Sequence, residues 1–554
     1  MRAIIKKHLL VLFFLFILVA VTYANSLRND FISDDIPAIV NNPIIKKFDY
    51  IFSNTFFFAR SIPFFIIYKI VDSNPIGFRL FNIFFHLGTV FVIYFLSLIT
   101  TKNRTVSLFA SAIFAVHPLL TESVTWISGG VYSQYSFFLL LSFLFYVLSV
   151  EKQIRQDSFR NVSIFFYAAS LISFLFSLSS SEKSLILPFI LLFYEISFGD
   201  LKKRWKKLIL YFSIAFMWFM IFLLLRLGER VTLLETAFYQ ENRFRLRNPF
   251  IQVPIVIVSY LQLIAFPAVL TFFHTDIHYT YVKYGVAIFI FILFLISIFY
   301  SWRKSKPVFF WLSYFIITLI PTLTPFRLSS FVAERYVYAG TAGICIAFVY
   351  FINTISQRRS YVVFIHFFMV IVLGLFLVRT YLRNIDWKDK EHLWLATVKT
   401  APSSTIARQN LADVLARKGD YAGAERELRK AIELNPYYAD GYHSLGILYR
   451  LTERNDQALR MFQKSLELNP NLWQAHVNIS YIYSRQKNYE KALEHLKQAE
   501  KLAPESSSVH RNLGITYLNL GQKEKALEEF YKTLELNPND QTAKDSINKL
   551  KLQN

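Results

Sequence analysis

Eleven apolar runs crowd the first 380 residues of this 554-residue chain, and no other feature limits its fold as sharply. They lie near 8–24, 79–100, 105–120, 133–150, 162–179, 184–198, 208–226, 283–300, 308–326, 336–356 and 361–379. Runs of about 17–25 residues cross a bilayer as helices, because a helix satisfies its own backbone polar groups where no water can. Residues 184–198 are short for a span. The chain is 54% hydrophobic and 18% aromatic, a membrane protein's composition. The first run follows Arg2, Lys6 and Lys7 and lacks a clean small-x-small cleavage site, so it reads as an anchor rather than a removed signal peptide.

Charge sets the expected sidedness. Residues 401–554 are near neutral, so most of the net +22 sits in short loops between apolar runs, where it marks topology rather than a nucleic-acid surface. Lys102 to Arg104, Lys152 to Arg160, Lys202 to Lys207, Arg303 to Lys306 and Arg358-Arg359 are expected on the cytoplasmic side. Parity holds if a twelfth stretch, 251–273, re-enters instead of spanning, and Pro254 and Pro267 are expected to break it. That places the long loop 25–78 and everything after residue 380 on the outer side. Residues 43–71 mix Phe and Ile with Lys46, Lys47, Arg60 and Lys69, the pattern of short interfacial helices. The single cysteine, Cys345, supports neither a disulfide framework nor a Cys-based metal site.

Beyond the apolar part the chain repeats itself. Prolines recur at 402, 436, 470, 504 and 538, and small residues at Ala424, Ala458, Ala492 and Ala526, both every 34 residues. Tyr442, Leu445, Gly446, Tyr449, Phe462 and Pro470 match the tetratricopeptide pattern, as do Leu513, Gly514, Tyr517, Phe530 and Pro538. The expected organisation is a membrane domain over 1–380, a linker over 381–400, four repeats over 401–538 and a capping helix over 539–554. The fold class is all-α, a polytopic helical bundle followed by an α-solenoid. Stacked repeats of this kind form a groove for an extended peptide or a partner protein, and a purely organising scaffold is the blander use.

Asp34 and Asp35 head the outer loop. Adjacent carboxylates repel, which raises one pKa and suits a proton acceptor or a metal ligand. A solvated acidic turn is the alternative. On the same side fall His117 and Glu122, then Glu182-Lys183, then Arg327, then Glu334-Arg335-Tyr336. Singly, His117 reads as a structural histidine, Glu122 and Glu182 as hydrated loop residues, and Glu334-Arg335 as an internal ion pair. Their convergence on one side argues for function, since ionisable groups near membrane depth are costly.

Together these features resemble the GT-C superfamily of membrane glycosyltransferases. The nearest likeness is to the transmembrane, tetratricopeptide-containing O-mannosyltransferase-like proteins, with a more distant likeness to protein O-mannosyltransferases. The resemblance rests on Phe31-Ile32-Ser33-Asp34-Asp35 with Asn41-Asn42, the stretch Asn74 to Asn82 with His86, His117-Pro118 with Glu122, Glu182 six residues before Pro188, and Ala333-Glu334-Arg335-Tyr336. It implies transfer of a sugar, a hexose such as mannose, from a polyprenyl-phosphate donor to a protein Ser or Thr hydroxyl with inversion. By that likeness Asp35 or Asp34 is the general base, with Asp35 favoured. Arg335 steadies the leaving phosphate, with Lys183 and Arg60 as weaker candidates. His117, Glu122, Glu182, Glu334, Tyr336, Asn82 and His86 line the donor and sugar site. The chain departs from the usual pattern at Ser181, where a lysine is common, and over Ser128 to Tyr132, where an arginine and an aspartate are common.

Two other readings stay open: an O-antigen-ligase-like oligosaccharyltransferase, and a non-catalytic membrane scaffold. The implied partners are a polyprenyl-phosphate-linked sugar, a protein or peptide acceptor in the repeat groove, and membrane lipid, with no nucleic acid. No cofactor is fixed by the sequence, and Asp34 and Asp35 could hold a divalent ion such as Mg or Mn. Composition suggests a bacterial inner membrane with periplasmic repeats, or the endoplasmic-reticulum membrane in a eukaryote.

Overall fold

The computed structural model describes residues 2–52, 57–151, 160–237, 249–272, 274, 280–323, 332–355 and 359–552. Every regular element among them is helical. The chain forms two compact units, with a boundary between Ala401 and Pro402.

In the first unit, α1 (Arg2–Tyr23) leads into the outer loop, which carries short 3-10 and π turns and then α2 (Phe58–Val71). These are the short helices expected over 43–71. Next come α3 (Pro75–Thr101) and α4 (Arg104–Ala115). Asn74 caps α3 by accepting from Ile76 N–H at 3.0 Å, and Pro75 opens it. The reversal into α4 takes two residues: Lys102 adopts a left-handed φ of +55°, and the Asn103 side chain accepts from Val106 N–H at 3.1 Å. After α4 the chain bends by 49° into a short turn and α5 (Thr121–Thr125). The antiparallel pair α6 (Val131–Val150) and α7 (Arg160–Leu178) follows, joined by serine hydrogen bonds such as Ser142 Oγ to Ser170 O at 2.7 Å.

The remaining helices of this unit are α8 (Leu187–Ser197), α9 (Leu201–Ala237), α10 (Pro249–Ala265), α11 (Tyr281–Lys304), α12 (Lys306–Leu319), α13 (Tyr338–Ile355), α14 (Arg359–Asp386) and α15 (Lys390–Thr400). Among the described residues eight helices are long and apolar enough to cross a membrane, or nine with the bent α4–α5 pair. The expectation of eleven is too high by this measure. The run 184–198 gives a 3-10 turn and an 11-residue α8, about 16 Å long, well short of a roughly 30 Å core. It stops where Glu195 folds back: its carboxylate accepts from Tyr146 at 2.9 Å and pairs with Arg204 at 3.3 Å, and a Cβ on Gly199 would sit 1.7 Å from it. Among the described residues of the run 308–326 there are α12 and a terminal 3-10 turn. Pro254 does not break α10. It lies in the second turn, where its missing N–H costs a single helix bond, and the helix ends before Pro267. Residues 381–400, expected as a linker, are folded into this unit as the end of α14 and all of α15, and Arg383 and Asn384 are buried.

The second unit is four helix pairs: α16 (Thr405–Arg417) with α17 (Tyr421–Leu434), α18 (Ala439–Leu451) with α19 (Asn455–Leu468), α20 (Trp473–Arg485) with α21 (Tyr489–Leu502), and α22 (Ser507–Asn519) with α23 (Lys523–Leu536). The closing helix is α24 (Gln541–Leu552). Ala424, Ala458, Ala492 and Ala526 are fully buried where paired helices cross. Each first helix ends on a left-handed residue at the same repeat position: Gly419, Glu453, Lys487 and Gly521, with φ between +59° and +83°. Gly446 and Gly514 admit the Phe462 and Phe530 rings, and a Cβ would meet them at 2.6 and 2.7 Å.

Gly446→Val should therefore overpack this contact and destabilise the second repeat by about 1–3 kcal/mol. Hydrogen exchange should quicken across α18 and α19 while α3 and α6 stay protected; unchanged exchange there would show that Phe462 can move aside.

Candidate active site

Arg79, in the first turns of α3, is fully buried and organises one end of the bundle. Its Nε donates to Thr125 O at 3.1 Å, one Nη donates to Asp30 O at 2.6 Å, and the other donates to Asn29 O. Asp30 N–H in turn donates to Lys388 O at 2.7 Å. Loop residues 29–30 are thus clamped between α3, α5 and the turn after α14. Ser33 then takes φ +49°, a left-handed conformation uncommon for a residue with a side chain. Beyond it the two aspartates part. Asp34 is exposed, while Asp35 is buried and accepts from Ser128 N–H at 2.8 Å and Ile32 N–H at 3.3 Å. Burial pushes the Asp35 carboxyl from the ordinary 3.8 up to about 6, against the opposing pull of those hydrogen bonds and of the Arg79 charge.

The turn 124–130 faces this loop. Asn82 Nδ2 donates to the carbonyls of Val124, Trp126 and Ile127 at 3.1–3.3 Å. Gly130 allows that approach, since its Cβ would fall 1.8 Å from Asn82 Oδ1. Asn82 is therefore a framework residue. His86 is another: its ring nitrogens meet Tyr338 Oη at 2.7 Å and Ala115 O at 3.0 Å. His117 is a third, with Nε2 on Ile264 O at 3.0 Å and Nδ1 accepting from Leu119 N–H at 3.3 Å. All three side chains are buried, and the Asn82 amide nitrogen and both nitrogens of each histidine ring bond to protein.

Glu122 and Arg335 form a buried pair. One carboxylate oxygen takes the guanidinium and the other accepts from Arg335 N–H at 2.8 Å. The guanidinium also lies 5.7 Å from the Trp126 ring centre and 5.1 Å from that of Tyr336. Glu334 turns away into a separate network with Thr271 N–H at 2.5 Å, Arg383 at 3.3 Å and His274 at 3.6 Å. Lys183 reaches Tyr132 Oη at 3.2 Å and lies over the Tyr132 and Tyr336 rings. Glu182, beside it, is within electrostatic reach of Tyr132. Arg60 donates to Ser128 O at 3.4 Å and feels the charges of Asp34 and Asp35.

The structure thus gathers Asp34, Asp35, Arg60, Glu122, Glu182, Lys183, Arg335 and Tyr336 at one end of the first unit. Arg327 lies outside the described residues. Tyr132, Trp126 and Arg383 are site-forming residues that sequence reasoning missed. Arg383, a charge at the end of an apolar helix, carried a legible signal. Among the described residues no third His, Cys, Asp or Glu converges on Asp34 and Asp35, so the pair by itself offers few of the ligands a divalent ion takes.

Two measurements follow from this geometry. Asp35 has its pKa raised by folding, so its contribution to loop stability is complete below about pH 4 and is lost as pH rises through 6, in all about 3 kcal/mol. Asp35→Asn should flatten that slope in the exchange of the Ser128 amide, corrected for intrinsic rate; equal slopes would contradict the assignment. Arg335→Ala should strand the Glu122 carboxylate and cost about 3–5 kcal/mol. Thermal melts should show part of this recovered by adding Glu122→Gln, and no recovery would mean that the pair is not what holds the turn.

Comparison with known proteins agrees with both units. A tetratricopeptide-repeat family model matches residues 402–471 and 474–539. A Caenorhabditis elegans protein named "Protein O-mannosyl-transferase F38B6.6" is 25% identical over 471 residues, 78% of this chain and 63% of that protein. "Protein O-mannosyl-transferase TMTC1" of Homo sapiens is 24% identical over 508 residues, 78% of this chain and 56% of that protein. The chain thus spans somewhat over half the length of these curated relatives. Among solved structures, a Thermus thermophilus tetratricopeptide protein, TTC0263, aligns with 32% of this chain and 95% of its own at 23% identity and a TM-score of 0.27. The chain is accordingly a relative, over 78% of its length, of proteins named protein O-mannosyl-transferase, with a helical apolar unit followed by tetratricopeptide repeats.

Proposed function

We propose that this protein is a membrane glycosyltransferase that moves a hexose such as mannose from a polyprenyl-phosphate donor to a Ser or Thr hydroxyl of a protein. The names of its relatives support transfer to protein. The observation that carries the reading is a carboxylate exposed on a loop made rigid by buried bonds, at the same end of the unit as three cations, Arg60, Lys183 and Arg335. Asp34 is the base. A proton acceptor must be reachable by the hydroxyl, and Asp34 is exposed whereas Asp35 is enclosed with both oxygens occupied. Asp35 holds the loop.

In the reaction Asp34 takes the proton as the hydroxyl oxygen bonds to the anomeric carbon. The bond from that carbon to the phosphate oxygen breaks on the opposite face, so the centre inverts. The electron pair leaves with the phosphate, where the cations stabilise the developing charge. The repeats hold the acceptor segment as an extended peptide, on the outer face of a bacterial inner membrane or its endoplasmic-reticulum counterpart.

The test is mass spectrometry of envelope glycoproteins from matched strains carrying wild type, a deletion, Asp34→Asn or Asp35→Asn. Asp34→Asn should lower transfer by about 10²–10⁴-fold while the protein is still inserted. Asp35→Asn should act more weakly. If Asp34→Asn modifies proteins as wild type does and only the deletion differs, the protein is a scaffold and not the transferase.

A further inference from the structure

Tyr132 is the second residue of α6, two residues after Gly129-Gly130, which have no side chains to keep the turn away from Asn82 and Glu122 O. Its ring is thereby set 5.9 Å from the Tyr336 ring, which arrives on the 3-10 turn Glu334–Val337. The Lys183 ammonium lies 4.3 Å from the centre of the first ring and 4.0 Å from that of the second, with the Tyr132 hydroxyl at 3.2 Å. Arg335 also stacks on Tyr336, at 5.1 Å. Aromatic faces within about 6 Å attract a cation through the ring quadrupole, and they orient it without cancelling its charge. One pair of tyrosines therefore aligns a lysine and an arginine that come from distant parts of the chain.

We propose that Tyr132 is a positioning residue for anion binding. It holds Lys183 beside Arg335 so that both cations meet a single phosphate group. The inference rests on the phosphate-donor reading above.

The test measures binding of a C55 polyprenyl phosphate to the full-length protein in detergent, with the uncharged C55 polyprenol as control. Lys183→Ala and Tyr132→Ala should each weaken phosphate binding about tenfold, and the double variant no more than either alone, since one acts through the other. Tyr132→Phe, which keeps the ring and protects the fold, should lose only about two- to threefold. Polyprenol binding should stay level throughout. Additive losses in the double variant, or an equal loss of polyprenol binding, would overturn the role of Tyr132 while leaving the donor reading intact. If wild type shows no preference for the phosphate over the alcohol, the donor reading fails, and this inference with it.

Discussion

A buried guanidinium makes one end of the apolar helical unit possible. Removing an arginine from water costs several kcal/mol unless its donors find acceptors. Arg79 finds three backbone carbonyls, and they belong to three separate residues, Asn29, Asp30 and Thr125. A loop held to a helix that way cannot drift without leaving the charge exposed to apolar surroundings. The left-handed Ser33 and the inward turn of Asp35 follow from that anchor, and so does the presentation of Asp34.

A second layer of buried polar groups ties the same region to α14. Asn384 donates to Thr22 O at 2.9 Å and to Asn25 Oδ1 at 2.8 Å, and accepts from Thr125 Oγ1 at 2.7 Å. Arg383, one residue earlier, reaches Glu334. The last turns of α14 thus touch both halves of the site, the aspartate loop on one side and the Glu334-Arg335 turn on the other. In an apolar bundle such groups must be paired with one another, which makes them a rigid frame rather than a hydrated surface. Glu195 with Arg204 and Tyr146 does the same for the ends of α6, α8 and α9.

Much of this was legible beforehand. The proline period and the recurring alanines specified the repeats, because packing one helix pair on the next demands the same small residue at the same place each time. Apolar length announced most of the long helices, and the short run 184–198 gives only the 11-residue α8. The polar clusters at Asp34-Asp35, Glu122, Lys183 and Glu334-Arg335 also stood out, since charges near apolar runs are rare without cause. Residue type did not distinguish framework from site. His86 and His117 look as reactive in sequence as Glu122, and only their neighbours show both ring nitrogens of each engaged.

The sequence by itself determined the all-helical class, the repeat array, the sites of apolar burial and the set of ionisable residues near the loop, because each depends on local composition and period. Tertiary structure alone decided which aspartate faces outward, which cation pairs with which acid, and that Tyr132 meets Lys183. Those outcomes depend on which distant backbone carbonyl or ring occupies the space beside a side chain. No periodicity along the chain encodes such a juxtaposition; it arises only when the helices close.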